Sequence, residues 1–256
     1  MEKPISNSTT RFSDRVENYV KYRPHYPREI ITYLNESINF NEHKIVADVG
    51  SGTGISTELF LQNGNRVYGI EPNKEMREAG EKYLEKYKYF ISVNGTAEET
   101  LLESDSIDVV VCGQAFHWFD VPKAKQEFKR ILKENGYVVL IWNSRKIDTS
   151  DFLIAYENLL LKYGTDYEKV IHKTLESEDD KTIGMFYYPE KSYVESFENF
   201  QLFDFEGIKG RLLSSSYAPI DNAEMLDELK NIFDKYNEND KVTFEYETKV
   251  YWGKLK

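Results

Sequence analysis

The stretch VADVGSGTG, residues 46–54, decides how this chain folds. Ile45, Val46, Ala47 and Val49 make a short apolar run around Asp48, glycine then recurs as Gly50, Gly52 and Gly54, and helical spacing follows. That order reads as a strand, a tight turn and a helix start. Glycine accepts left-handed dihedrals and, lacking a Cβ, lets backbone come within contact distance of a ligand. The first amides of the helix beyond are free to point at whatever lies above the strand. The turn is therefore read as the seat of a nucleoside-bearing cofactor.

Working outward, Ile55, Leu59 and Phe60 give the next helix a buried face, with Asn63 and Gly64 as its stop. RVYGIEP follows as strand two and ends on Glu71, about twenty residues past the glycines. A dinucleotide-type site places the acceptor of the ribose hydroxyls there. Asn73 can cap a helix holding Met76, Ala79 and Tyr83, and Tyr89 to Val93 reads as strand three, followed by GTAEE. DVVVCGQ is strand four, a continuous apolar run of the kind a parallel sheet buries on both faces. After AFHWFD, Asp120 caps a helix with Pro122 in its first turn and a stripe of Ala124, Phe128, Ile131 and Leu132. Gly136 is read as its stop, and YVVLIWN as strand five. Strands alternating with helices in this way predict a doubly wound parallel sheet with its ligand over the carboxyl ends of the strands.

On the amino-terminal side, Phe12, Val16, Tyr19 and Val20 mark a helix over 9–20, halted by Pro24 and Pro27 of KYRPHYP; a second helix is predicted from Pro27 to Ser37. On the other side, Phe152, Tyr156, Leu159, Leu160 and Tyr163 form a helical stripe. Tyr167, Ile171 and Leu175 suggest another helix before a solvated ESEDDK loop, and this block reads as an insertion acting as a lid. FQLFDFEGIKG alternates like a strand, Asp221 to Tyr236 is an amphipathic helix through Leu226, Leu229 and Phe233, and VTFEYETKVYWGKL closes as a strand. The expectation is an α/β fold, a Rossmann-like, doubly wound, seven-stranded and mostly parallel sheet with flanking helices. Within it, residues 1–40 form a helical segment over the cofactor site, 41–147 and 200–256 the core, and 148–199 the helical lid insertion.

With 256 residues, 40% hydrophobic and 14% aromatic, the chain can bury a substantial core. It lacks a run of about 18 apolar residues, and MEKPISNSTT has no signal-peptide core, so a soluble, cytoplasmic protein is expected. The single cysteine, Cys112, lies in a strand pattern and reads as packing. No metal site is expected. A net charge of −11 argues against a broad nucleic-acid footprint, so no nucleic acid and no membrane is expected as partner, and a small-molecule substrate is favoured. The chain is expected to be a monomer or homodimer.

The glycine turn with an acid at the end of strand two fits either a nicotinamide or flavin dinucleotide or S-adenosylmethionine. Dinucleotide turns follow G-x-G-x-x-G. Here the spacing is Asp48-x-Gly50-x-Gly52-x-Gly54, and an acid at Asp48 would repel a pyrophosphate and suit a cationic ligand. With these motifs in order, the chain resembles the class I S-adenosylmethionine-dependent methyltransferases, and within them the methyltransferase type 11, trans-aconitate methyltransferase-like small-molecule branch. The matching residues are YRPHYP at 22–27, DVGSGTG at 48–54, IEPNKEM at 70–76, GTAEE at 95–99 and QAFHWFD at 114–120, with RLLSSSYAP at 211–219 a weaker match.

The resemblance implies that backbone around Gly50, Ser51 and Gly52 receives the methionine part, with Asp48 ordering the loop or a water under the ammonium group. It implies Glu71 on the ribose hydroxyls, and Pro72 and Met76 on the adenine faces. Thr96, Ala97 and Glu98 would sit at the adenine edge, and Gln114 would offer its carbonyl to the ammonium. Arg23 would meet the methionine carboxylate with Tyr22 closing over it, unless the two merely anchor their segment. His117 is either a general base or a pocket wall, and Trp118 either faces the sulfonium or packs in the core. A carboxylate acceptor, as for trans-aconitate, would need a cation such as Arg11, Arg145 or Arg211, with Ser214, Ser215, Ser216 and Tyr217 beside it. The implied activity is methyl transfer from S-adenosylmethionine, with S-adenosylhomocysteine as product, to a small molecule at oxygen or a carboxyl group. A non-catalytic adenosyl-binding module and a nicotinamide-dependent oxidoreductase are the alternatives.

Overall fold

The structure is a computed structural model, and it describes residues 16–169, 180–219 and 221–256. Arg11, Phe12, Ile171, Leu175 and most of the ESEDDK run lie outside the described residues. Two short helices, α1 (Val16–Tyr22) and α2 (Glu29–Ile38), flank the two prolines. Then come β1 (Ile45–Val49), α3 (Ile55–Gln62), β2 (Arg66–Ile70), α4 (Lys74–Leu84), β3 (Phe90–Val93), β4 (Ile107–Gly113), α5 (Val121–Ile131) and β5 (Leu132–Arg145). The second half holds α6 (Asp151–Tyr163), a helix Asp180–Tyr187 that we call α7, β6 (Ser192–Phe203), α8 (Phe205–Leu213), α9 (Ala223–Tyr236) and β7 (Val242–Gly253).

All seven strands join one sheet in the order β3-β2-β1-β4-β5-β7-β6. β1 through β5 pair in parallel, and β7 runs antiparallel to both β5 and β6. The expected doubly wound, mostly parallel sheet is therefore the fold observed. Period-two alternation explains its two cores. Along β4, Val109 and Val111 face one way with Ile30, Leu34, Phe60 and Val139, whereas Val110 and Cys112 face the other with Phe116, Phe128, Leu140 and Trp142. Cys112 is fully buried, as its strand pattern predicts.

A third cluster gathers α6, α8, α9 and the first half of β7, through Tyr156, Leu160, Leu212, Leu229, Phe233 and Phe244. This cap replaces the expected layout in several places. β6 begins at Ser192, inside the block expected to be insertion, and α7 buries Ile183, Phe186 and Tyr187 in a sheet core. FQLFDFEGIKG is strand only to Phe203. Asp204 then caps α8, its carboxylate accepting the Gly207 N–H at 2.7 Å. Gly136 does not end α5; Leu132 already turns extended at ψ 138°, and Gly136 lies within β5. A Cβ at Gly136 would come within 3.1 Å of the Asp108 carbonyl oxygen, so the glycine serves close strand approach instead. Among the described residues no helix is long and apolar enough to cross a membrane.

Candidate active site

The sheet order reverses between β1 and β4, so the loops after these strands border the crevice where open α/β sheets bind ligands. One loop is the glycine turn. Gly50 and Gly52 stand at φ +73° and +56°, where side chains with a Cβ are strained. The amides of Gly50 and Ser51 both donate to the Ile70 carbonyl at the end of β2, at 2.9 and 3.1 Å. A Cβ on Gly50 would lie 2.5 Å from that of Ala115, so the two loops touch across the switch point.

Asp48, the last polar residue of β1, is completely buried. Its Oδ2 accepts the hydroxyls of Ser56 and Thr57 at 2.6 Å each, from the first turn of α3, and its Oδ1 has no hydrogen-bond partner among the described residues. Burial pushes its pKa up to about 6 against the pull of those hydroxyls. Ser56 and Thr57 were not singled out in the sequence, although a hydroxyl pair opening a helix beside a buried acid is the available signal. Glu71 is 8% exposed, and burial raises its pKa while the backbone N–H groups that it accepts oppose the rise. Its Oε2 takes the Gly52 amide at 2.9 Å and its Oε1 the Asn73 amide at 2.8 Å, so it clamps the glycine turn to the start of α4. A carboxylate offers about four lone-pair positions. Two remain for a diol.

Met76 is 6% exposed, and its Cε would be 3.4 Å from a Cβ on Gly52, which puts the thioether against the turn; Pro72 is half-buried beside it. Thr96 is exposed and closes a tight turn: its amide donates to the Glu99 carbonyl at 3.0 Å and its hydroxyl accepts the Glu99 amide at 3.1 Å. Ala97 is buried, and Glu98 accepts the Asp120 amide at 2.8 Å, tying GTAEE to the end of AFHWFD. The loop after β4 carries Gln114 at φ +55°. Its side-chain amide exchanges two hydrogen bonds with the backbone of Asn143, 3.2 and 3.0 Å, so that group braces β4 to β5. His117 and Trp118 occupy a short 3-10 turn, half-buried, rings 4.8 Å apart.

Asn143 is a hub that sequence reasoning missed. Besides Gln114, its amide nitrogen reaches the His25 carbonyl at 3.3 Å, and its Oδ1 accepts Asn199 at 3.2 Å and the Thr248 hydroxyl. An Asn ending the apolar run YVVLIWN was the signal. Tyr22 and Arg23 lean toward the cap: Tyr22 packs edge-on to Phe203 and fills the space a Cβ on Gly210 would need, and Arg23 donates to the Ser214 carbonyl at 3.0 Å. These contacts tie the YRP segment to the cap.

Arg145 and Arg211 come together around one aromatic wall. Arg145 pairs with Glu157, donates to the Tyr167 hydroxyl at 3.1 Å and lies 5.1 Å from the Tyr156 ring centre. Arg211, 6% exposed, donates to the Tyr246 hydroxyl at 3.4 Å and the Ser215 hydroxyl at 3.1 Å. Tyr217 is half-buried, its ring 4.7 Å from that of Tyr167. Among the described residues no cluster of three or more His, Cys, Asp or Glu could hold a metal ion.

Comparison with known proteins gives this architecture relatives. The methyltransferase domain family matches residues 47–140. An uncharacterised methyltransferase of Schizosaccharomyces pombe is 33% identical over 135 residues, 52% of this chain and 53% of that one. A protein of Saccharomyces cerevisiae described as a probable S-adenosylmethionine-dependent methyltransferase is 29% identical over 154 residues, 57% and 51% of the two chains. The chain spans about half the length of these curated relatives. Among solved structures, a protein assigned as a type II methyltransferase from Anaeromyxobacter dehalogenans superposes at a TM-score of 0.70 with 16% identity, covering 91% of this chain and 98% of that one. This last likeness is one of fold.

Proposed function

We propose, from the premise that residues 47–140 are a methyltransferase domain of the class I fold, that the chain transfers a methyl group from S-adenosylmethionine to a small molecule. The observation that carries this is the buried, half-satisfied Asp48 under a glycine turn that a second buried carboxylate, Glu71, holds open. A cationic ligand suits the buried acid Asp48, which a pyrophosphate would meet with repulsion. The glycine turn, free of Cβ atoms at Gly50 and Gly52, fits the methionine part, the two remaining lone-pair positions of Glu71 fit the ribose hydroxyls, and Met76 fits an adenine face.

When bound, S-adenosylmethionine supplies an electrophilic methyl carbon and a neutral thioether leaving group. The chain's part is to hold the acceptor in line and keep water out, which is where most of the acceleration of such a displacement arises. In this reading His117 and Trp118, in the short turn after β4, wall that space, and His117 is the imidazole to serve a hydroxyl acceptor that must lose a proton. Arg23, Tyr22, Thr96 and Glu98 complete the cofactor side in this reading. The strongly acidic surface fits a small molecule better than a nucleic acid, and we take the acceptor to be an oxygen or carboxyl group.

Incubation with methyl-labelled S-adenosylmethionine and a small-molecule cell extract tests this. Label moving to a small molecule, at a rate that falls in Glu71→Ala, is the expected result. Binding of S-adenosylhomocysteine without any transfer would leave an adenosyl-binding module and overturn the activity.

A further inference from the structure

The end of the sheet opposite the crevice holds a cavity that the proposed reaction does not use. It has a volume of about 230 Å³ and sits at the amino ends of β1 and β4. Ile38, where α2 ends, forms its apolar floor with Phe40 and Val109, all three buried. A break in strand register builds its wall. Ile107 pairs with Leu132 and then Val109 with Tyr137, two steps along β4 against five along β5, so residues 133–136 loop out and carry Asn135 to the cavity. Irregularities of this kind re-aim side chains at the expense of ladder hydrogen bonds.

Among the described residues the charged side chains that line the cavity are Lys44, from the loop before β1, Lys254, just past β7, and Asp108. Asp108, 16% exposed, is already committed. Its Oδ2 accepts the Ile45 amide at 2.9 Å and the Lys133 ammonium at 2.8 Å, and its Oδ1 lies 3.9 Å from the Lys44 ammonium. Lys254 donates to Asn135 at 3.1 Å and lies 5.3 Å from the centre of the Tyr137 ring. An ammonium has three N–H donors, so Lys44 and Lys254 each keep two beyond these contacts. The neighbouring acids are placed elsewhere: Glu42 stands 3.5 Å from His43, Asp105 pairs with Lys256 at 2.8 Å, and Glu134 is exposed outside the lining. Three lysines against one aspartate leave two positive charges here, on a chain whose net charge is −11.

We propose that this cavity binds a small phosphate monoester, its dianion held between Lys44 and Lys254 and a ring-sized apolar body laid on Phe40, Val109 and Tyr137. A monoester carries about −1.5 to −2 charge at pH 7 and three acceptor oxygens, which matches the charge and the donors present. Lysine binds phosphate as a point charge and needs no fork geometry. The volume is the share of about eight water molecules in the liquid, room for a single ring and its phosphate. The apolar floor separates such an ester from inorganic phosphate, and nothing in this chemistry depends on the proposed methyl transfer.

Calorimetric titration of the full chain at about 0.15 M salt, where loose surface attraction is screened, tests the proposal. The probes are phenyl phosphate, benzoate, phenol and inorganic phosphate. Phenyl phosphate is expected to bind at least about tenfold more tightly than each of the others, since each lacks either a charge or the ring. Its affinity should be the same with and without saturating S-adenosylhomocysteine. Lys44→Met with Lys254→Met should weaken it at least about tenfold, and Lys44→Arg with Lys254→Arg should restore most of the binding. In the unaltered protein, phenyl phosphate should shift the amide resonances of Asn135, Gly136 and Tyr137 and leave those of Gly50 to Gly52 in place, a readout that holds even where a variant fails to fold. Absence of binding at millimolar concentration, equal affinity for benzoate or inorganic phosphate, displacement by S-adenosylhomocysteine, or an affinity unchanged in the methionine variant overturns the inference.

Discussion

Asp48 and Glu71 are both buried acids, but their partners give them different sensitivities. Asp48 binds its proton more tightly in the folded chain, with a pKa of about 6, than the ordinary 3.8 of an unfolded aspartate. The stability that this proton contributes is complete below about pH 4 and is lost as pH rises through 6. At about 1.4 kcal/mol per pKa unit, the loss is about 3 kcal/mol, and it stays lost at neutral pH. Chemical denaturation of the ligand-free protein across pH 4–7 should show that decline, and Asp48→Asn, which can still accept from Ser56 and Thr57, should flatten it. Glu71 acts instead through its two backbone donors and the ribose it is proposed to hold. Hydrogen bonds to a charged group are worth about 1.5–3 kcal/mol each, so Glu71→Ala should weaken S-adenosylhomocysteine binding at least about tenfold by calorimetry. At Gly52, φ +56° makes Gly52→Ala a backbone strain of about 1–2 kcal/mol, and the new methyl meets Met76; a lower cofactor affinity with an unchanged far-ultraviolet circular dichroism spectrum is expected.

At the scale of elements, α1 and α8 interlock through Tyr22 and Gly210. A Cβ on Gly210 would stand 2.0 Å from the Tyr22 Cε2, so Gly210→Ala should lower the unfolding free energy by about 1–3 kcal/mol despite alanine's better helix propensity. Adding Tyr22→Ala should cancel most of the steric part, a coupling that a double-mutant cycle in urea would measure. The contact shows what a sequence can and cannot reveal. β1, β4 and β5 were legible because parallel strands buried on both faces become continuous apolar runs, and α4 because Asn73 caps it. The register of β6 was not legible, since an edge strand leaves Tyr193, Val194, Phe200 and Leu202 exposed and blurs the alternation. α8 was hidden because Phe203 and Phe205 alternate across Asp204, whose capping role appears only once the Gly207 amide is seen beneath it. At the candidate site, the glycines and acids proposed for the cofactor stand out by spacing. The hub at Asn143 and the pairing of Arg145 with Glu157 depend on contacts between distant segments, and no local pattern encodes those.

For the whole molecule, the long strand β7 joins the parts, since it pairs with β5 over Val138–Arg145 and with β6 along its full length while its first half belongs to the cap core. Thr248 on that strand donates to Asn143, which in turn braces Gln114 at the proposed cofactor crevice. Cap and crevice therefore share buried hydrogen bonds, and a ligand in the crevice should stabilise both together. A ligand that binds only the folded state at a hundredfold excess over its Kd contributes about 2.7 kcal/mol. For a chain of 256 residues that corresponds to a rise in Tm of about 5–10 °C. S-adenosylhomocysteine should produce it as a single calorimetric transition moved upward, and NAD at the same concentration should leave the Tm in place. Two transitions, with only the lower one moved by S-adenosylhomocysteine, would mean that cap and sheet unfold separately and that β7 does not couple them. A shift with NAD and none with S-adenosylhomocysteine would return the glycine turn to a dinucleotide, against the repulsion that Asp48 presents to a pyrophosphate.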